Sequence, residues 1–214
     1  MSAKNRHQPA LLTISQPLIC PAARFCPSPA LPVYAYLETR MQIHIQLIPI
    51  SGTNELTPGP DPPENLYHYT TGLKLKQIIN SGHIRPSAAH VPPHEKPVAW
   101  FSTQELWEPT ATKVPAPGMQ GQIETAKAQG GLVRITVPGL CAPYVFPQLP
   151  LIAGTKPSVC IGLLIAGLEH GSDPDSWRFS TTSVPTALFR EVEFFDFAHD
   201  SWVAVDMTEL ACRN

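Results

Sequence analysis

The sequence predicts a single α+β domain with a split, mostly antiparallel sheet and two main helices. Strand-like and helix-like segments follow one another without the strict alternation of a βαβ protein, which favours an α+β arrangement. The 25 prolines fall mainly before residue 64 and in the connections after it, a distribution that suits irregular loops better than a helix bundle. The 214 residues are enough for one domain of ordinary size with its own hydrophobic core.

Residues 1–63 are expected to form a disordered or weakly structured leader. Residues 1–40 contain several prolines and little periodicity. The segment MQIHIQLIPI predicts one strand at residues 41–50, which makes Met41 a second candidate for the start of the protein. The segment SGTNELTPGPDPP, at 51–63, has the composition of a linker. The folded domain is therefore predicted to span residues 64–214.

The domain is predicted to open with a strand and a helix. LYHY, at 66–69, has the character of a short strand, and GLKLKQIINSG that of an amphipathic helix. Thr70 or Thr71 is expected to cap the start of this helix, and Gly82 to stop it. The later predicted elements, in chain order, are the strands PVAWFST and GLVRITV, the apolar helix PSVCIGLLIAGLEHG, the strand SWRFSTTSV, and the strands EVEFFDF and SWVAVD, joined by AHDS.

Composition excludes several classes of function. The net charge is -2, and no cluster of lysine and arginine is large enough to follow a nucleic-acid backbone, so extended nucleic-acid binding is not expected. The most apolar segment, SVCIGLLIAGL, is too short to span a membrane. Five cysteines without a C-x-x-C pair indicate reduced thiols and a cytoplasmic protein rather than a disulfide or zinc framework. Cys160, within this apolar segment, is predicted to be a core residue rather than a nucleophile.

Three polar groups stand on or at the ends of predicted strands. They are His68-Tyr69-Thr70, then Trp100 followed by Phe101, Ser102 and Thr103, and finally Glu191 and Glu193, which alternation places on one face of a strand. Each group alone has an ordinary structural interpretation, as a strand end, a helix cap or a solvated edge strand. Glu105, Trp107 and Glu108 flank the second group and are further candidates for the same cleft.

The order of these groups resembles the ADP-ribosyltransferase superfamily. One branch of this superfamily carries a His, a Tyr and a Glu on three separated strands, and another carries an Arg, a Ser-Thr-Ser strand and a Glu-x-Glu turn. His68 takes the first position of the His branch. Phe101-Ser102-Thr103 is similar to the second motif of the Arg branch, with Gln104 in place of its last serine. Glu191 and Glu193 take the positions of the Glu-x-Glu pair.

This resemblance implies an ADP-ribosyltransferase-like fold and an NAD-dependent ADP-ribosyltransferase or NAD glycohydrolase, with NAD as co-substrate and no metal. Glu193 and Glu191 would be catalytic, with Glu193 binding the ribose and stabilising an oxocarbenium-like cation. The residues implied to bind the cofactor are His68, Tyr69, Thr70, Trp100, Ser102 and Thr103. The serine and threonine hydroxyls would orient the glutamate, and the partner would be a small nucleotide, with the acceptor left open. Two alternatives remain: a non-catalytic binding module on the same fold, and an enzyme similar to the RNA 2'-phosphotransferases.

Two further charged groups bear on the site. His90, His94 and Glu95 have the residue types of a metal site, but the prolines between the histidines prevent the helical spacing that a zinc helix needs, so no metal is expected. Arg134 is an unusual charge in the middle of GLVRITV. We expect it to pair with an acid on a neighbouring strand rather than to contact a pyrophosphate.

Overall fold

A computed structural model describes residues 61–89, 91–111 and 122–206. The strand expected at 41–50 and nearly all of the expected leader lie outside the described residues. The strands are β1 Asn65–Thr71, β2 His83–Ile84, β3 Ala99–Ser102, β4 Leu132–Pro138, β5 Tyr144–Val145, β6 Trp177–Ser180, β7 Val184–Pro185, β8 Glu191–Asp196 and β9 Ser201–Ala204. The helices are α1 Gly72–Ser81, α2 Gln122–Ala128, α3 Leu149–Ala153 and α4 Pro157–Glu169.

The strands form one large sheet and one small one. The large sheet has seven strands in the order β5-β6-β3-β1-β4-β8-β9, and β2 pairs with β7 in a separate two-stranded sheet. The strand pairs in both sheets are antiparallel. The α+β class and the mostly antiparallel sheet are therefore confirmed, and the two predicted helices are α1 and α4, the longest of the described helices.

The large sheet is weakly joined at its centre. β1 pairs with β4 along all seven of its residues, from Asn65 opposite Pro138 to Thr71 opposite Leu132. It pairs with β3 only where Tyr67 lies opposite Ser102. Because β1 and β3 separate beyond this point, the sheet opens between them.

Alternation along the strands gives the large sheet two different faces. On one face Leu66, Ile135 and Val192 form a buried cluster with α1, which contributes Leu75. On the other face, near β6, a second buried cluster includes residues of α3 and α4 together with Phe179. Since residues directly opposite each other across a strand pair share a face, the register also decides which polar side chains meet.

Of the two predicted ends of α1, the stop at Gly82 is confirmed and the threonine cap at the start is wrong. Gly82 adopts a left-handed conformation (φ 72°) after the helix and donates its N–H to the carbonyls of Ile78 and Ile79, as expected of a stop signal. Thr71 occupies the N-cap position, but its side chain makes no capping bond, so the predicted hydroxyl cap is wrong. The carbonyls of Gly131 and Gln129 instead accept hydrogen bonds from the first two helical N–H groups, at 3.0 and 2.8 Å.

Candidate functional site

A cleft of about 670 Å³ lies at the opening between β1 and β3. α1 and the segment after it form one wall, and β3 with part of α4 forms the other. The polar and charged side chains that line it include His68, Ser102 and Glu108 in its interior and Lys74 and Arg85 among its exposed residues. Its volume lies in the range of small-molecule sites.

His68 bridges the two strands that separate. Its Nδ1 donates a hydrogen bond of 2.8 Å to the backbone carbonyl of Trp100 on β3, and its ring lies 5.4 Å from that of Phe101. A carbonyl can only accept, so this bond places the proton on Nδ1 and makes Nε2 the acceptor nitrogen of the neutral ring. The imidazole is thereby oriented in the cleft, with a fixed tautomer.

Arg134 and Glu193 form a buried ion pair on the opposite face of the sheet from His68. Arg134 lies directly opposite Tyr69 on β1 and Glu193 on β8, and its Nε and Nη2 donate to the two carboxylate oxygens at 2.6 and 2.7 Å. Burial alone would lower the pKa of Arg134, but the hydrogen bonds and charge of Glu193 outweigh it and raise this pKa. The expected pairing of Arg134 with an acid on a neighbouring strand is therefore confirmed.

A short segment after β3, Gln104–Leu106, covers this ion pair, and we call it the strap. Three consecutive backbone carbonyls of the strap accept hydrogen bonds from three side chains. Tyr69 Oη donates to Gln104 at 2.5 Å, Arg134 Nη1 to Glu105, and Trp202 Nε1 to Leu106 at 3.0 Å. The Trp202 ring also stacks on the Arg134 guanidinium at 4.7 Å, so the strap and β9 together shield Glu193, which is 6% exposed.

Glu108 lies in the wall of the cleft and is 5% exposed. Its Oε2 accepts from the Ser102 hydroxyl at 2.9 Å and lies 3.3 Å from Ser176 Oγ, which donates to the Asp173 carbonyl at 2.6 Å. Its Oε1 accepts from Ser172 and from the hydroxyl and the N–H of Thr110, at 2.7 and 3.2 Å. The carboxyl group is thus surrounded by hydrogen-bond donors from three separate segments of the chain.

The structure brings most of the predicted site residues together and leaves three of them apart. Those that line the cleft are His68, Tyr69, Thr70, Trp100 and Ser102. Thr103, Glu191 and Glu193 do not line it: Thr103 bonds through its N–H to the Ser176 carbonyl, Glu191 is exposed at the start of β8, and Glu193 is paired with Arg134.

The register explains the separation of His68 from Glu193. His68 lies opposite Ile135, which lies opposite Val192, whereas Tyr69, Arg134 and Glu193 form the adjacent row on the other face. The Ser102 hydroxyl was expected to orient the catalytic glutamate. It donates to Glu108 instead, so this expectation is wrong for Glu193.

Of the three flanking residues Glu105, Trp107 and Glu108, only Glu108 lines the cleft.

Searches for other kinds of site and for relatives gave negative results. In residues 61–89, 91–111 and 122–206 no group of three or more His, Cys, Asp or Glu side chains is arranged to hold a metal ion, and His90 lies outside these ranges. None of the described helices is long and apolar enough to cross a membrane. Comparisons of the chain with protein-family models, curated proteins and solved structures found no match.

Proposed function

We propose that the cleft between β1 and β3 binds NAD and that the protein cleaves the bond between nicotinamide and ribose, transferring ADP-ribose to water or to an acceptor. The observation that carries this proposal is the position of His68. It stands where the sheet opens, held by the Trp100 carbonyl, in a cleft that also contains Ser102 and Glu108. The resemblance in the sequence implies a split sheet, and the single Tyr67–Ser102 pair between β1 and β3 is consistent with one.

The lining of the cleft suits the parts of a dinucleotide. Trp100, Ile78 and Leu163 offer apolar and aromatic surface for a flat ring. Hydroxyl and imidazole groups can bind the ribose, and Lys74 and Arg85 supply positive charge for the phosphates. These are also the kinds of group that line small-molecule sites in general, mostly apolar with a few placed polar atoms.

Cleavage breaks the bond from ribose C1' to the nicotinamide nitrogen, and the bonding electrons leave with neutral nicotinamide. The ribose becomes an oxocarbenium-like cation, which a nearby carboxylate stabilises. Water or an acceptor then attacks C1' and loses a proton. The resemblance assigns the stabilising role to Glu193, which would have to leave Arg134 and emerge from beneath the strap before it reached the cleft.

The test is release of nicotinamide from NAD by the purified protein. If Glu193 emerges as proposed, Glu193→Gln should lower this release on the order of a hundredfold, because it removes the charge but keeps the shape. Glu191→Gln is the matched control on the same strand and should spare hydrolysis more than transfer. Circular dichroism of each variant checks folding. Equal release by wild type and Glu193→Gln would remove Glu193 from the mechanism.

A non-catalytic binding module is the second candidate, and one observation favours it. Both carboxylate oxygens of Glu193 accept hydrogen bonds from Arg134, so in this conformation the carboxylate stabilises the fold and does not face the cleft. Calorimetry separates the two candidates. A protein that binds NAD in the cleft without releasing nicotinamide is the binding module, whereas turnover identifies the enzyme.

A further inference from the structure

α4 is apolar on every side, including the side that faces solvent. Between Pro157 and Glu169 it contains no charged residue, and its buried side belongs to the cluster near β6. A helix that is apolar all round is ordinarily buried all round, because the solvent-facing side of a surface helix is polar or charged. The sequence of α4 therefore suits a helix that has a further neighbour on its exposed side.

Four exposed residues at helical spacing form this side of the helix, and we call them the outer face. They are Val159, Gly162, Leu163 and Ala166. Val159 is 45% exposed and Leu163 is 38% exposed, and a Cβ added to Gly162 would meet no atom within 4 Å. The two small residues leave shallow places beside the two large ones, so another helix can approach the outer face closely.

The outer face is arranged symmetrically about one point, midway between Gly162 and Leu163. Val159 and Ala166 are equally far from this point along the helix, so each large residue on one side of it matches a small residue on the other. A two-fold axis through this point would place each large residue against a small residue of a second, antiparallel copy of the helix. Such a contact is self-complementary, as the interface of a symmetric dimer must be.

The charges at the two ends of α4 favour the same antiparallel arrangement. Lys156, just before the helix, and Glu169, its last residue, are both exposed and equally far from the midpoint of the outer face. They are roughly 20 Å apart along the helix axis. An antiparallel pair brings the Lys156 of each copy to the same end of the interface as the Glu169 of the other, and it also aligns the two helix dipoles favourably. A parallel pair would bring like charges together.

We propose that two copies of this chain associate through the outer face, with their α4 helices antiparallel and a two-fold axis between Gly162 and Leu163. The outer face has four residues, against about 20–30 residues a side in a standard interface, so the dimer should form only at micromolar concentrations or above. Leu163 and Ala166 also line the cleft, so the second copy stands at its rim. The proposal does not depend on which ligand the cleft binds.

The experiment is sedimentation velocity of the full chain at concentrations from about 1 μM to about 1 mM. Wild type should pass from monomer to dimer within this range, and a wild type that stays monomeric throughout would overturn the proposal. Val159→Glu places a charge within the outer face but outside the cleft. It should raise the dissociation constant of the dimer at least about tenfold, because the charge would be buried against an apolar residue.

Leu188→Glu is the matched control for Val159→Glu. Leu188 is also 45% exposed but lies outside α4, so its replacement should leave the dissociation constant unchanged. Equal weakening of the dimer by the two variants would contradict the outer face as the interface. Circular dichroism of each variant checks that the fold is intact.

Charge reversal at the ends of α4 tests the orientation, and it keeps the test decisive if Val159→Glu does not fold. Lys156→Glu should weaken the dimer about tenfold, because the symmetry replaces two attractions by two repulsions. Adding Glu169→Lys restores opposite charges at each end of an antiparallel pair, so the double variant should return to within about threefold of wild type. In a parallel dimer like charges would meet in all three proteins. A dimer that is insensitive to Lys156→Glu, or that the double variant does not recover, would overturn the antiparallel arrangement.

Discussion

At the scale of single residues, the described part of the chain contains two buried acidic side chains that are stabilised in different ways. Glu193 is held by a guanidinium and Glu108 by hydroxyl groups. The first is a pair of opposite charges, and the second is a carboxyl group that is hydrogen-bonded to uncharged groups. The distinction matters for the site, because only the second carboxylate lines the cleft.

The buried ion pair should be much more sensitive to substitution than an exposed one. Arg134→Met leaves the Glu193 charge buried without a partner, which should lower the free energy of unfolding by about 3–5 kcal/mol. Arg190→Met removes the exposed pair with Glu64, in which the side chains are 43% and 85% exposed, and should cost less than about 1 kcal/mol. Urea denaturation measures both, and similar losses would contradict the assignment.

Cys160 should be unreactive in the folded protein. Burial, helped by the charge of Glu95, raises the pKa of its thiol to about 11, so the reactive thiolate becomes abundant only as the pH approaches that value. At pH 7.5 iodoacetamide should therefore leave Cys160 unmodified in the native state and label it after denaturation, as followed by peptide mass spectrometry. Rapid labelling of native Cys160 would show that this part of α4 opens readily.

At the scale of elements, α4 shows how an apolar sequence leaves one face of a helix uncovered. It is apolar along nearly its whole length, yet only Cys160, Leu164 and Gly167 are buried, while Val159 and Leu163 are exposed. A straight helix can press only one stripe of residues against a sheet. Here that stripe includes a glycine, which allows the Trp177 ring to approach the helix backbone.

Two glycines of α4 should respond oppositely to alanine. A Cβ on Gly167 would meet the Trp177 ring at 2.5 and 2.6 Å, so Gly167→Ala should lower the free energy of unfolding by about 1–3 kcal/mol. Gly162 has no atom within 4 Å of such a Cβ, and Gly162→Ala should raise stability by up to about 1 kcal/mol through better helix propensity. Thermal and urea unfolding check both variants, and a neutral Gly167→Ala would mean that α4 shifts without cost.

The elements were easier to predict from the sequence than their faces. Periodicity and stop signals were enough for β1 and for α1 up to Gly82. The charge within GLVRITV indicated an acidic partner for Arg134 but did not identify it as Glu193. Alternation along β8 predicted that Glu191 and Glu193 share a face of the strand, but it did not predict on which side of the sheet that face lies. That side depends on the register of β8 against β4, and a slip of one residue would reverse it. Glu108 was visible only as a flanking acid, because the Ser172 and Ser176 hydroxyls that surround it are more than sixty residues away.

At the scale of the whole molecule, the protection of backbone amides from exchange is expected to decrease from the middle of the large sheet towards its edges. β4 lies between β1 and β8 and six of its seven residues are buried, whereas β9 is an edge strand with mostly exposed residues. Native-state hydrogen exchange should therefore be slowest for β4 amides and much faster for β9. Equal protection of the two strands would show that the whole sheet opens as one cooperative unit.

The strap has a consequence for how relatives of this protein will differ in sequence. Its path is fixed largely through main-chain carbonyls, and of its side chains that of Glu105 also hydrogen-bonds to Tyr67. The donors Tyr69 and Trp202 each sit on a separate strand and cannot change without releasing it. During divergence these anchoring positions should stay constant or change together, while positions 104 and 106 accumulate substitutions more freely than Glu105 does. A segment whose course is held by its main chain can change its surface side chains during evolution without disturbing the fold.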